Sequence, residues 1–187
     1  MEWLLALALG IGLSAACGFR VFVPLLIMSI ASHTGHMTFG HGFGWMDSWV
    51  ATGVFAVATI VEIGAYLIPW LDHALDVITT PAAVIAGAIV TASVLGEMSP
   101  LLRWTLAIIA GGGAAGIVQG TTVALRGAST VTTAGIANPG ISAAESAASL
   151  ITSILAIVVP VLAAAVVVVI CIAMVRRVAA RPRFKPL

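Results

Sequence analysis

The sequence predicts an all-α, polytopic membrane protein, and three observations carry that prediction. Hydrophobic residues make up 61% of the chain and charged residues only 8%, against about 25% charged in an ordinary soluble domain. Five of the eight basic residues, Arg176, Arg177, Arg181, Arg183 and Lys185, fall in the last twelve positions. The five tryptophans, Trp3, Trp45, Trp49, Trp70 and Trp104, stand where composition changes from apolar to polar, as anchors at a membrane surface do. A water-soluble globule is excluded by the first observation. A chain of 187 residues has room for about four to six crossings at about 20 residues each. It is read as one transmembrane domain over 1–187, with about five transmembrane helices, candidate re-entrant segments and no appended soluble domain.

The first segment runs from Leu4 to Ile30 and contains Gly18 and Pro24. Leu13-Ser14-Ala15-Ala16-Cys17 loosely resembles a lipoprotein cleavage site, but the basic n-region of a signal peptide is missing, so the segment is expected to be retained. A Gly/His-rich loop from Ser32 to Ser48 follows. The second segment spans Trp49 to Ile68 and meets Pro69. Asp72-His73-Ala74-Leu75-Asp76 is too polar for lipid contact and reads as a short helix at the interface or in a protein-lined cavity. Thr80-Pro81 has the form of an N-cap followed by proline at the first helical position, so a third segment is predicted from there to Leu95. Ser99-Pro100 repeats that signal ahead of a fourth segment, Leu101 to Leu125. There Gly112, Gly116 and Gly120 at four-residue spacing suit close helix packing. The stretch Ile141–Val175 would be ~52 Å long as one helix, too long for one crossing, and Pro160 is its natural kink.

An internal repeat is suggested by sliding 56–77 onto 147–168, which pairs Pro69 with Pro160 and seven further residues, including Ile63 with Ile154. Leu5-Ala6 with Gly10 and Gly12 matches Leu106-Ala107 with Gly111 and Gly113 at a slightly larger offset. Half-repeats of about 4–97 and 101–176 follow, the second inverted if the first holds three crossings. The basic tail, 176–187, predicts a cytoplasmic C-terminus in a bacterial inner membrane.

Ionised side chains within hydrocarbon cost several kcal/mol, so each is a functional candidate. Arg20 and Glu62 lie away from the ends of their segments, either as a structural ion pair or with Arg20 meeting an anionic substrate while Glu62 takes protons. Asp72 and Asp76, four apart, share one helix face. They are candidates for proton or cation exchange, with solvation at the membrane surface the plainer reading. Arg126-Gly127-Ala128-Ser129-Thr130 reads as a broken helix in which freed N–H groups, hydroxyls and a guanidinium form a donor set suited to phosphate or carboxylate. Arg20, Arg126, Ser129 and Thr130 are thus the candidate substrate-binding residues, and Glu62, Asp72 and Asp76 the proton-coupling or ion-pair residues. Ser142 to Glu145 has the spacing of a capping box.

His33, His36 and His41 match no metal-binding helix face, and Cys17 and Cys171 form neither a disulfide framework nor a metal site. No metal and no cofactor is expected. No hydrolase elbow, zinc-protease motif or dinucleotide fingerprint is present, so an enzyme is not expected.

Around Cys17-Gly18-Phe19-Arg20 to Pro24, Glu62-Ile63-Gly64-Ala65-Tyr66 to Asp72, and Arg126 to Thr130, the chain resembles a family of small bacterial multi-pass membrane proteins of unknown function. The resemblance spans nearly the whole chain and implies no assigned substrate or residue roles. In style, the intramembrane arginine and helix-breaking prolines are similar to those of small bacterial lipid-carrier transporters, an analogy of fold alone. The expected function is a membrane transporter or flippase for an anionic solute or lipid phosphate, coupled to protons. The alternative is a non-transporting scaffold or assembly factor, and a channel is disfavoured for want of a filter motif. Expected partners are membrane lipids and an anionic small molecule or lipid headgroup, with a second copy of the chain as a further candidate and no nucleic acid.

Overall fold

The computed structural model describes residues 2–66, 68–96 and 98–179, without the side chains of 69, 70, 72–74 and 177–179. It is built of α-helices: α1 (Glu2–Phe19), α2 (Phe22–His33), α3 (Trp49–Ala65), α4 (Pro69–Val94), α5 (Pro100–Leu106), α6 (Gly113–Thr133), α7 (Asn138–Val158) and α8 (Pro160–Ala179), with a 3₁₀ turn at Gly44–Asp47 and a π-helical stretch at Ala107–Gly112. Among the described residues no strand occurs. Among the described residues four stretches are long and apolar enough to cross a membrane: Glu2–Phe19, Leu75–Val94, Pro100–Thr133 and Asn138–Val158. Phe22–His33, Trp49–Ala65 and Pro160–Arg176 are shorter apolar helices. The protein is an all-α, polytopic membrane protein.

The predicted first segment is not one helix but two, broken at Arg20 and Val21. Pro24 supplies the reason, since its ring would collide with the carbonyl four residues back, that of Arg20, and it has no N–H to give that carbonyl. The break forms a hairpin. His33 at the end of α2 stacks on Trp49 with ring centroids 4.0 Å apart, and Ser29 bonds Thr52 at 2.6 Å, so α2 runs back antiparallel to α3. The loop after α2 joins the same face, where Gly40 N–H donates to the Ser93 carbonyl at 2.7 Å and Arg103 to the His41 carbonyl at 3.2 Å. This loop face therefore gathers the ends of α2 and α4 and the starts of α3 and α5.

Two further boundaries differ from the sequence reading. α4 starts at Pro69 and passes through Pro81 without a break, so Asp72 to Asp76 form its first turns rather than a separate short helix. The Thr80 hydroxyl donates to the Asp76 carbonyl at 2.6 Å instead of capping a new helix. α6 likewise continues through Arg126 to Thr133 and ends at Ala134 and Gly135, whose φ values are 53° and 83°. The irregularity falls earlier, in the π-helical turn Ala107–Gly112. There the missing side chain of Gly111 is essential, because a Cβ would lie 2.2 Å from Thr91 Oγ1 and 2.6 Å from the Gly87 carbonyl oxygen. Gly116 packs on Val84, whereas Gly120 faces open space.

The expected break at Pro160 is present, separating α7 from α8. α7 runs antiparallel to α1: Ser149 donates to the Ala16 carbonyl at 2.9 Å, and Gly12 abuts both Ala156 and Ala163. The α7–α8 turn therefore lies level with Gly12, ~15 Å along α1 from its start. One hairpin, α1–α2, enters from the loop face and the other, α7–α8, from the opposite face. The aligned stretches 56–77 and 147–168 run in opposite senses. Leu5-Ala6 and Leu106-Ala107 run in the same sense, since α1 and α6 both descend from the loop face, and so fall outside an inverted unit.

Candidate functional site

Pro24 leaves the first N–H groups of α2 without helical partners, and the chain satisfies them from α3. The Glu62 carboxylate accepts from Val21 N–H at 2.8 Å and from Phe22 N–H at 3.1 Å. Glu62 is buried, and its direct partners are these amides. The expected direct Arg20–Glu62 ion pair is not formed, because both Glu62 oxygens are committed to the α2 terminus while the Arg20 side chain is directed to α7.

There Arg20 Nη1 lies 3.2 Å from Glu145 Oε2. Nη2 donates to the carbonyl and hydroxyl oxygens of Ser142 at 2.9 and 2.5 Å, and Nε donates to the Ser146 hydroxyl at 3.1 Å. All three guanidinium nitrogens are engaged. Ser142, Glu145, Ser149 and Ser153 make a buried polar stripe on α7, at spacings of three and four that keep one helix face towards α1. Ser142 sits inside α7, which starts at Asn138, so the capping-box reading of Ser142 and Glu145 is replaced by a shared role in holding Arg20.

Arg126 reaches the same carboxylate from α6. Its Nε donates to Glu145 Oε1 at 3.1 Å, its Nη2 pairs closely with Glu145 Oε2, and its Nη1 meets Asp76 Oδ1 at 2.5 Å. Glu145 thus bridges two arginines, each only 1% exposed. The guanidinium carbons of Arg20 and Arg126 both lie 4.2 Å from the centroid of the Tyr66 ring, within reach of its π-electrons. The Tyr66 hydroxyl donates to Asp76 at 3.2 Å and is 2.8 Å from the Thr79 hydroxyl, which accepts from Gln119 Nε2 at 3.2 Å. With Tyr66 donating to Asp76, a one-way chain of donors runs from Gln119 through Thr79 and Tyr66 to the carboxylate.

Asp76 therefore belongs to the buried cluster rather than to a solvated surface. The side chain of Asp72 lies outside the described residues. Ser129 and Thr130 share the helix of Arg126 but are not brought to the guanidiniums. The Ser129 hydroxyl is 3.4 Å from that of Thr133, and Thr130 donates to the Arg126 carbonyl at 2.9 Å and accepts from Asn138 at 3.1 Å. The broken helix on which their anion-binding role was expected is a regular one. His33 is used in the Trp49 stack and in a 2.9 Å contact with Thr52, and His36 bonds Thr34 at 2.9 Å. Among the described residues no three His, Cys, Asp or Glu side chains gather as a metal site.

Sequence reasoning missed Tyr66 and the bridging role of Glu145. One signal was present for each. Tyr66 is the single tyrosine of the chain, four residues after Glu62, and Glu145 is the one acidic residue of the second half beyond Pro100.

Two arginines and three carboxylates, from Glu62, Asp76 and Glu145, are buried together, so the fully ionised cluster carries one net negative charge. Each guanidinium in hydrocarbon-like surroundings is tolerable only with such partners. Two grooves border the cluster on either side of α4. One, of about 770 Å³, lies between α2, α3 and α4 and includes Glu62. The other, of about 460 Å³, lies between α4 and α6 and includes Asp76.

Residues 7–180 match the family model described as a domain of unknown function, DUF4126, and the chain belongs to that family. No curated protein and no solved structure matches it.

Proposed function

We propose that this protein is a proton-coupled transporter or flippase for an anionic solute or lipid phosphate, and not an enzyme, in a bacterial inner membrane with its C-terminus in the cytoplasm. The observation that supports this reading is the Glu145 carboxylate bridging Arg20 and Arg126. Two buried forks converging on one carboxylate form the donor set that a phosphate or carboxylate ligand uses. Glu145 then acts as an internal competitor for that ligand. A proton on Glu145 removes the competitor, and an anion that displaces Glu145 leaves a carboxyl group that a proton must neutralise. Anion and proton are coupled reciprocally through one site. Substrate binding is assigned to Arg20 and Arg126, proton coupling to Glu145 with Asp76 and Glu62, and no direct contact to Ser129 or Thr130.

The test is uptake of phosphate-bearing small anions, and movement of labelled anionic lipids between leaflets, by purified protein in liposomes with and without an imposed pH gradient. Arg126→Lys keeps the charge and loses the planar fork, so transport is expected to fall at least ~10-fold while the protein stays folded. No movement of any panel member by the parent protein, under either condition, removes the transport reading.

A scaffold role is the second reading, favoured by the engagement of all three Arg20 nitrogens by the protein itself. On that reading the cluster locks α1, α4, α6 and α7 together and exchanges nothing.

A further inference from the structure

The groove between α2, α3 and α4 joins the lipid-facing surface to the charge cluster. Val50, Val54, Val57 and Val61 line it along α3, with Ile78 opposite on α4. These five side chains are 58–77% exposed, and in a membrane-spanning chain the medium against them is hydrocarbon. The α3 lining from Val50 to Ala65 extends ~22 Å at 1.5 Å per residue, comparable with an extended acyl chain. Its deep end lies where α3 gives way to Tyr66 and α4 begins at Pro69, on the face opposite the loops, so a lipid of that leaflet would hang its chain towards Val50.

Among the described residues, Glu62 is the one ionisable side chain in this lining. Each of its oxygens accepts one backbone N–H, and a carboxylate oxygen has a second lone pair to offer. An anionic headgroup would be repelled at Glu62, and a quaternary amine would bring charge without N–H donors. A primary ammonium brings both.

We propose that this groove holds one acyl chain of a phospholipid whose headgroup carries a primary amine, with Glu62 accepting from the ammonium. This narrows the lipid-phosphate arm of the transport reading to a zwitterionic amine lipid, and it rests on that reading only for the role of the bound lipid as cargo.

The experiment is native mass spectrometry of the full chain, titrated with phosphatidylethanolamine, phosphatidylglycerol and phosphatidylcholine of identical acyl chains, beside the transport assay in liposomes of the same lipids. Phosphatidylethanolamine is expected to bind about tenfold more tightly than the other two, the weight of one charge-assisted hydrogen-bonded contact. Val57→Trp fills the groove away from every charge and is expected to lower binding of the amine lipid at least ~10-fold, by overpacking the chain's place. Glu62→Gln is expected to bring the three lipids to near parity. Equal or tighter binding of phosphatidylglycerol by the parent overturns the amine assignment, and unchanged binding in Val57→Trp overturns the groove. Displacement of the bound lipid by soluble phosphoethanolamine also overturns the groove, since the headgroup alone would then suffice. Selective amine-lipid binding without any transport upholds this site and removes the transport reading. Anion transport without lipid selectivity does the reverse.

Discussion

Glu145 stands 3.2 Å from Arg20, although 124 residues separate them in the chain, and it is this carboxylate rather than Glu62 that serves as the counter-ion at the first helix break. Glu145 also holds Arg126, so its removal strands two charges at once. Glu145→Ala is expected to cost at least ~3 kcal/mol, the range for breaking a buried pair from one side. Thermal unfolding of the detergent-solubilised protein measures this. A loss no larger than that of an exposed lipid-facing substitution would show that the bridge contributes little.

Glu62 is expected to govern the start of α2. Glu62→Ala leaves the amides of Val21 and Phe22 without their acceptor, at a cost of ~1–3 kcal/mol for each buried donor left unpaired. Hydrogen exchange at those two amides should accelerate well before the core of α2 exchanges. Glu62→Gln retains one acceptor oxygen and should fall between parent and alanine variant.

The Tyr66 ring and hydroxyl are separable. Tyr66→Phe keeps the surface beneath both guanidiniums and removes the donor to Asp76, so a loss of about 1 kcal/mol is expected, whereas Tyr66→Leu loses the cation–π contacts as well and should cost roughly twice that. A double-mutant cycle with Thr79→Val reads the hydroxyl chain directly, and a coupling near zero would show that Tyr66 and Thr79 act independently.

Glycines on α6 and its π-helical entry should divide sharply. Gly111→Ala places a Cβ against Thr91 and the backbone of Gly87, neither of which can yield cheaply, and should cost ~1–3 kcal/mol or more. Gly120→Ala meets open space and should gain up to ~1 kcal/mol from helix propensity. Comparing the melting temperatures of the two variants decides the point.

Topology follows from the helix directions. α1 starts at the loop face and α8 runs towards the opposite one, so reporters at the N- and C-termini should report opposite sides, the C-terminal one being cytoplasmic. A C-terminal reporter active only in the periplasm would reverse the assignment.

The helical class and the break at Pro160 were legible because composition and proline act locally. Arg20, Glu62, Asp76 and Arg126 were legible as candidates because a charge in an apolar run has few innocent explanations. Their pairing was not, since which carboxylate meets which arginine depends on helix directions, and Arg126 meets Asp76 50 residues away while Arg20 reaches Ser142 122 residues away. Pro81 and Pro24 show the limit of local signals: both sit in apolar helical stretches, yet α4 passes through the first while the second ends α1 and restarts the chain as α2. At Pro24 the freed amides find Glu62, and that partner lies on another helix. Ser129 and Thr130 misled for a related reason, as small polar residues that read as a break are satisfied within their own helix, Thr130 by the Arg126 carbonyl and Ser129 by the Thr133 hydroxyl.

The Arg20–Glu145 contact also fixes an order of events during synthesis. Arg20 enters the membrane machinery long before Glu145 has been translated, and at about 5–20 residues per second the delay is on the order of ten seconds. Throughout that interval the arginine has neither Ser142 nor Glu145 to receive it. The α1–α2 hairpin, whose tip carries the charge, therefore completes its contacts only once α7 is made. A chain that stops before residue 142 therefore has neither the Ser142 nor the Glu145 oxygens that receive the Arg20 guanidinium in the finished fold.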